Sequence, residues 1–130
     1  MPDGRRKRIL IVEDEEKIAC LLAEQLVIAG YEAHPEFSGQ AGLDDAAERQ
    51  PDLVVLDLRL PDVSGFEVCR QLRAMYPSWL VPILIVTGLD QPAVQVRGYT
   101  YGADAYLTKP FQEKDLVDKV RELLETEKIS

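Results

Sequence analysis

Three short apolar runs, each followed at once by a polar residue, constrain the fold more than any other feature of this chain. The runs occupy residues 9–12, 53–56 and 83–86, and each contains β-branched residues. Apolar runs of this length are typical of strands that are buried on both faces, as in a parallel sheet. The polar residues that follow the runs are Glu13 and Asp14, Asp57, and Thr87. We therefore expect three buried strands to carry polar side chains to one edge of a sheet.

Segments with the apolar spacing of helices separate these strands, and two weaker strands complete the pattern. The predicted helices are residues 15–29 (ended by Gly30), 38–49, 64–76, 91–101 and a last helix with its apolar stripe at 116–124. The weaker strands are residues 31–37 and 105–107. Pro35 and the charges beside it favour an edge position for the strand at 31–37.

Strands and helices thus alternate five times along the chain, which predicts an α/β domain with helices on both faces of one parallel sheet. Because crossover connections are right-handed, few strand orders remain. A flavodoxin-like, doubly wound (βα)5 fold has five parallel strands in the order 2-1-3-4-5, which places strands one and three side by side. Glu13, Asp14 and Asp57 would then converge at one edge of the sheet.

Length and charge limit the partners that the chain can bind. The 130 residues suffice for one domain, and we expect a basic tail at residues 1–7 before a domain at residues 8–127. The formal net charge of −8 disfavours nucleic acid and anionic membranes as direct partners. The basic residues at positions 5–8 are interpreted as a solvated segment ahead of the first strand.

The cysteines and the absence of long apolar runs favour a reducing, cytoplasmic compartment. Cys20 and Cys69 fall within predicted helices, and we interpret them as buried free thiols in a reducing environment. No signal peptide is predicted, because the basic start leads into only four apolar residues and then acids. No apolar run approaches membrane-spanning length, so a cytoplasmic protein is the simplest inference.

The predicted cluster of polar groups suits one kind of chemistry. Three carboxylates at one edge repel one another, and a divalent cation such as Mg²⁺, which prefers oxygen ligands, would relieve the repulsion. Lys109 and Thr87, at the ends of the fifth and fourth predicted strands, can reach the same edge. Carboxylate, cation, ammonium and hydroxyl together suit a phosphoryl group. Asp57 is thus a candidate nucleophile that would form an aspartyl phosphate.

Four segments give the chain a family resemblance. They are ILIVEDE at residues 9–15, DLRLPDVSG at 57–65, VTG at 86–88 and GADAYLTKPF at 102–111. In this order and spacing they resemble the response-regulator receiver domain, the phospho-accepting part of two-component signalling systems, from about Lys7 to Leu124. Two positions depart from the frequent pattern of that family: Glu13 stands where aspartate is common, and Gly88 where alanine is frequent.

The resemblance implies a phosphorylation site and a metal site. Asp57 would accept the phosphoryl group. Mg²⁺ would be ligated by Asp14, by Asp57 and by the backbone carbonyl of Arg59, with Glu13 acting directly or through a water molecule.

The resemblance also implies a switch. Lys109 would contact the phosphoryl group, and the Lys109–Pro110 peptide bond would be cis, which an X–Pro bond permits. Thr87 would move toward a phosphoryl oxygen, and Tyr106 would turn into the space that it leaves. The predicted output surface is the fourth helix, the fifth strand and the fifth helix.

The function implied by the resemblance is phosphorylation by a histidine kinase or a histidine phosphotransfer protein, which switches the output surface for a downstream domain or protein target. Whether the domain forms a homodimer on phosphorylation is a question that the sequence leaves open. The catalysis of the domain itself would be limited to phosphoryl uptake from a donor and slow autodephosphorylation, so we do not expect a conventional enzyme.

Three other functions stay open at this point. The first is a protein-interaction module with the same fold that is not phosphorylated. The second is a nucleotide or flavin binder, although its phosphate loop would be the acidic residues 13–16. The third is an aspartate-nucleophile phosphatase, although those enzymes resemble a strand followed by Asp-x-Asp and this chain has Arg59 in place of the second acid. His34 is interpreted as structural or solvated.

Overall fold

The computed structural model describes residues 5–126 and contains five parallel strands that alternate with five helices. The elements are β1 (Arg8–Val12), α1 (Glu16–Ile28), β2 (Glu32–Glu36), α2 (Gly39–Glu48), β3 (Leu53–Leu56), α3 (Gly65–Met75), β4 (Ile83–Thr87), α4 (Pro92–Thr100), β5 (Ala105–Thr108) and α5 (Glu113–Thr126). The strand order is β2-β1-β3-β4-β5. The predicted fold class is therefore confirmed. Residues 1–4 of the predicted tail, and the predicted domain end at residue 127, lie outside the described residues.

Alternating side chains of the strands bury two apolar layers, one on each face of the sheet. Residues such as Leu10 and Val54 pack with α2, α3 and the inner side of α4, whereas Ile9 and Val55 pack with α1 and α5. This two-sided burial explains why β1, β3 and β4 have continuous apolar runs rather than alternating polar positions. Local signals set the element ends: Gly30 has a φ of +107° just after α1, and the Ser38 hydroxyl accepts a hydrogen bond from the N–H of Ala41 at the start of α2.

Two interpretations of single residues were wrong. Arg8 is not solvated: it is the first residue of β1 and is only 7% exposed, and its Nη2 lies 2.6 Å from Oδ1 of Asp45 on α2. Cys69 is buried as expected, but Cys20 is exposed on α1. Within residues 5–126, no helix combines the length and apolar composition needed to cross a bilayer.

Gly65, the first residue of α3, allows this helix to begin directly against the end of β3. A Cβ atom at this position would lie 2.4 Å from Cα of Leu58 and 2.7 Å from the carbonyl oxygen of Asp57. The N–H of Gly65 donates to the carbonyl of Leu58 at 3.0 Å. The loop that leaves Asp57 is thus held in place by the helix start, and only glycine leaves room for that contact.

We predict that Gly65→Ala lowers the free energy of unfolding by about 1–3 kcal/mol, because the atoms that the new methyl group meets are backbone atoms. Gly88→Ala is the matched control, since a Cβ there meets no atom within 4 Å, and its effect should stay within about 0.5 kcal/mol. Urea unfolding of both variants measures the difference. Equal stabilities would contradict the close approach at Gly65.

Candidate functional site

Neighbouring parallel strands bring the polar residues to the carboxyl edge of the sheet. The N–H of Asp57 donates to the carbonyl of Val12 at 3.0 Å, and the N–H of Lys109 donates to the carbonyl of Thr87 at 2.8 Å. The residues that follow β1 and β3 are therefore neighbours, as are those at the ends of β4 and β5. The site is assembled from polar residues at the carboxyl ends of four neighbouring strands.

The ammonium group of Lys109 joins two of the predicted carboxylates. Its Nζ lies 2.6 Å from Oε1 of Glu13 and 2.9 Å from Oδ2 of Asp57. The side chains of Glu13 and Asp57 are only 3% and 8% exposed, and that of Lys109 is 24% exposed. One cation thus faces two nearly buried carboxyl groups. Charge-assisted hydrogen bonds of this kind are stronger than hydrogen bonds between neutral groups.

One ammonium group cannot fully compensate two buried carboxylates, and the pKa values of the two acids move apart. Burial raises the pKa of Glu13 from 4.5 to about 7, although the hydrogen bond from Lys109 opposes the rise. Burial also acts against ionisation of Asp57, but the hydrogen bonds from Lys109, from Glu13 and from the N–H of Arg59 outweigh it and lower the pKa of Asp57. Below about pH 7 the negative charge is therefore concentrated on Asp57.

Backbone N–H groups complete the hydrogen bonding of both acids. The N–H of Arg59 donates to Oδ1 of Asp57 at 3.1 Å, and the N–H of Glu15 donates to Oε2 of Glu13 at 3.1 Å. Both bonds link residue i to the N–H of residue i+2, a turn that aspartate commonly forms. These donors were not among the predicted site groups, although an acid directly followed by a loop was a usable signal.

Asp14, the residue after Glu13, is exposed. Within the described part of the chain, Glu13, Asp14 and Asp57 do not bring a ligand atom from each within 4.8 Å of one another; the one group of three that meets this distance is His34, Glu36 and Asp45. The structure thus brings Glu13 and Asp57 together on Lys109 and leaves Asp14 at the rim.

Thr87 and Tyr106 lie on adjacent strands beside the ion pair. Thr87 is fully buried, and its Oγ1 has no hydrogen-bond partner among residues 5–126. A buried hydroxyl without a partner is costly in a folded protein. The hydroxyl of Tyr106 donates to the carbonyl oxygen of Leu89 in the loop after β4. Leu89 was not among the predicted site residues, because its contribution is a backbone carbonyl, which its residue type does not reveal.

The Lys109–Pro110 peptide bond is cis, as predicted. It lies between β5 and α5, directly after the residue whose ammonium group joins Glu13 and Asp57.

Comparison with known proteins shows the family to which this chain belongs. A family model described as "Response regulator receiver domain" matches residues 9–121. The regulator RpaA of Synechocystis, described as a DNA-binding dual master transcriptional regulator, is 42% identical over 117 residues, which are 90% of this chain and 48% of RpaA. The response regulator ArlR of Staphylococcus aureus is 40% identical over 117 residues, which are 90% of this chain and 52% of ArlR. The chain therefore spans about half the length of these curated relatives.

Solved structures agree with this assignment. A CheY-like receiver domain protein of Methanospirillum hungatei superposes with a TM-score of 0.89 at 31% identity, covering 95% of this chain and 97% of the other. The receiver domain of DrrB, a regulator of Thermotoga maritima, was solved in a BeF3-activated form and superposes with a TM-score of 0.85 at 32% identity, covering 92% of this chain and 98% of the other. The chain belongs to the response-regulator receiver domain family.

Proposed function

We propose that Asp57 is the phosphoacceptor of this receiver domain. The observation that carries the proposal is the ion pair in which Lys109 contacts both Asp57 and Glu13. Because the pKa of Glu13 is raised and that of Asp57 is lowered, Asp57 is the acid that stays ionised, as a nucleophile must. The likeness to a receiver domain that was solved in a BeF3-activated form is consistent with this role.

The proposed step transfers a phosphoryl group from a phosphohistidine of a histidine kinase or a histidine phosphotransfer protein. A carboxylate oxygen of Asp57 forms a bond to phosphorus while the phosphorus–nitrogen bond of the donor breaks, and the electron pair of that bond stays on the imidazole, which takes up a proton. Lys109 stabilises the negative charge on the transferred group. We propose no further catalysis apart from slow hydrolysis of the acyl phosphate.

The residues at this edge fit Mg²⁺. Asp14 and Asp57, with the backbone carbonyl of Arg59, offer the oxygen ligands that Mg²⁺ prefers, and Glu13 could act directly or through water. When bound, the ion would neutralise charge on the phosphoryl oxygens. Two observations support the fit: a single ammonium group faces two buried carboxyl groups, and Asp14 is exposed at the rim and open to solvent.

The proposed switch uses Thr87 and Tyr106. The unpartnered hydroxyl of Thr87 would donate to a phosphoryl oxygen, and the loop after β4 would move with it. Because Tyr106 holds the carbonyl of Leu89 in that loop, the change would reach α4, β5 and α5, the proposed output surface. A downstream output domain or a separate protein would bind there, and a homodimer is a further candidate. Since RpaA is described as DNA-binding and this chain has a net charge of −8, contact with DNA would come from a separate output region.

The first prediction concerns covalent phosphorylation. We expect acetyl phosphate with Mg²⁺ to add the mass of one phosphoryl group, and we expect no adduct when EDTA removes the metal. Asp57→Asn should abolish the adduct, whereas Asp118→Asn, which changes an exposed carboxylate on α5, should keep it. Intact-mass spectrometry measures both. An adduct that persists in Asp57→Asn would exclude Asp57 as the acceptor, and a wild type without any adduct would favour an interaction module that is not phosphorylated.

The second prediction follows from the raised pKa of Glu13. Because that pKa rises from 4.5 to about 7 on folding, the stabilisation from protonated Glu13 is fully present below about pH 4.5 and is lost as the pH rises through about 7. Without metal, Glu13→Gln should therefore exceed the wild type in free energy of unfolding at about pH 8, by up to about 3 kcal/mol, and the difference should shrink toward about pH 5.

Urea unfolding at these two pH values tests the second prediction. Glu24→Gln, at an exposed position on α1, is the matched control and should follow the wild-type curve. A difference between Glu13→Gln and the wild type that does not change with pH would show that Glu13 is ionised with an ordinary pKa in the folded protein.

The third prediction separates phosphorylation from switching. Thr87→Val removes a buried hydroxyl that has no partner, so the free energy of unfolding should not fall. The phosphoryl adduct should still form, but the amide NMR shifts of Leu89 and of α4 should no longer respond to it. Thr108→Val, at the position that pairs with Thr87 on β5, should keep the response. A full response in Thr87→Val would exclude the hydroxyl as the trigger.

A further inference from the structure

A second group of ligating side chains lies between β2 and α2, on the flank of the sheet. His34 and Glu36 are two residues apart on β2, so their side chains project from the same face of the strand. Asp45 on α2 faces them. The Nε2 atom of His34 lies 3.1 Å from Oε2 of Glu36 and 3.4 Å from Oδ2 of Asp45, and the three ligand atoms all lie within 4.8 Å of one another.

These separations match the geometry of a metal ion with nitrogen and oxygen ligands. In a tetrahedral site with metal–ligand bonds of about 2.0–2.1 Å, neighbouring ligand atoms lie about 3.3 Å apart. The distances from His34 to Glu36 and to Asp45 bracket that value. The two acids are also within hydrogen-bonding reach of each other, and burial together with the nearby Asp45 raises the pKa of Glu36. Two carboxyl groups this close call for a proton or a cation between them.

Arg8 fixes the orientation of Asp45 toward this group. Its Nη2 donates to Oδ1 of Asp45 at 2.6 Å and its Nη1 donates to the carbonyl of Arg49 at 3.2 Å. Because Oδ1 is held by Arg8, the other oxygen of Asp45 is directed at His34. Carboxylate ligands of metals are commonly oriented by a hydrogen bond of this type.

Arg8 lies beside the three ligating side chains in a largely buried position. Its side chain is only 9% exposed, and its Nε lies 3.8 Å from Oε1 of Glu32, an exposed acid at the start of β2. Arg8 lines a cavity of about 430 Å³ together with His34, Glu36 and Asp45. The side chain of His34 is 53% exposed, so an ion can enter this cavity from solvent.

We propose that His34, Glu36 and Asp45 bind a divalent transition-metal ion of the zinc type, with the fourth coordination position open toward the cavity. One imidazole and two carboxylates suit Zn²⁺ or Co²⁺ rather than Mg²⁺, which prefers an all-oxygen set. Three protein ligands and an open position are typical of a zinc site that can still accept water or another ligand. The site needs neither Asp57 nor phosphorylation.

The two metal sites must be separated in the experiment because they are linked through the backbone. The carbonyl of Glu36 accepts a hydrogen bond from the N–H of Glu13 at 3.0 Å. Asp57→Asn in the full chain removes the acceptor carboxylate at the edge of the sheet and serves as the background. Cys20→Ser is added to it, since the exposed thiol of Cys20 can itself bind zinc.

Tag-free protein is titrated with Zn²⁺ by calorimetry and with Co²⁺ by visible absorption, at about pH 7.5, where an ordinary imidazole is neutral. We expect one ion per chain in the wild type and in the Asp57→Asn/Cys20→Ser background, with the visible bands of Co²⁺ bound to nitrogen and oxygen. His34→Gln and Asp45→Asn should each weaken binding at least about tenfold. Acetyl phosphate should still label His34→Gln in the presence of Mg²⁺, which shows that the variant is folded.

Two results would overturn the proposal. One is saturable binding that disappears in the Asp57→Asn/Cys20→Ser background but persists in His34→Gln, which would assign the ion to the edge of the sheet or to the thiol. The other is the absence of any saturable Zn²⁺ or Co²⁺ binding by the wild type. Since neither measurement uses phosphorylation as its readout, failure here leaves the role of Asp57 unchanged, and failure of the Asp57 adduct leaves the zinc-type site unchanged.

Discussion

The ion pair of Lys109 with Glu13 and Asp57 is the interaction on which the carboxyl edge of the sheet depends. A buried charge without a partner costs several kcal/mol, and strands β1 and β3 each place an acid in this environment. Lys109 compensates one negative charge, so the second acid must take up a proton or meet another cation. In the proposed mechanism, protonation of Glu13, whose pKa is raised to about 7, or a bound cation would leave Asp57 as the charged nucleophile. The proposed reactivity of Asp57 would then follow from an imbalance of charge in its surroundings.

The same interaction ties the edge of the sheet to the neighbouring strands and to α4. The backbone of Lys109 is bonded to Thr87, and Tyr106, three residues earlier on β5, holds the carbonyl of Leu89. Gly98 brings α4 close to this pair of strands, because a Cβ there would lie 2.9 Å from Ile85 and 3.7 Å from the ring of Tyr106. Along α4, Gly98 is the residue that is buried, and the N-terminus of the helix has no side-chain cap. Elements with few buried contacts open at low cost, which is why α4 suits the proposed response to a change at Thr87.

The fold could be predicted because the apolar runs, the helical spacing and Gly30 all indicated the same elements. Single side chains were harder where their surroundings come from distant residues. Arg8 is buried because Asp45, 37 positions away, accepts its hydrogen bond. The exposure of Asp14 had no local signal, because β1 is buried on both faces and alternation along the strand does not tell which position beyond its end is exposed. The exposure of Cys20 had one, since Cys20 follows the buried Ala19 by one position on α1 and is off the apolar stripe. Ion pairs between residues far apart in sequence, such as Arg8 and Asp45, depend on the tertiary structure and had no signal in the sequence.

The domain has two clusters of acidic side chains, and their negative charge is neutralised in different ways. This difference determines which metal ion each cluster would bind. At the edge of the sheet, the candidate ligands of Asp57 and its neighbours are all oxygen atoms, which favours a strongly hydrated ion such as Mg²⁺. Between β2 and α2, the imidazole of His34 joins the carboxylates, and the fixed cation Arg8 binds Asp45 from behind. A nitrogen ligand favours ions of the zinc type, and Arg8 lowers the net negative charge that would attract Mg²⁺. Ligand chemistry, and not charge alone, therefore distinguishes the two proposed sites.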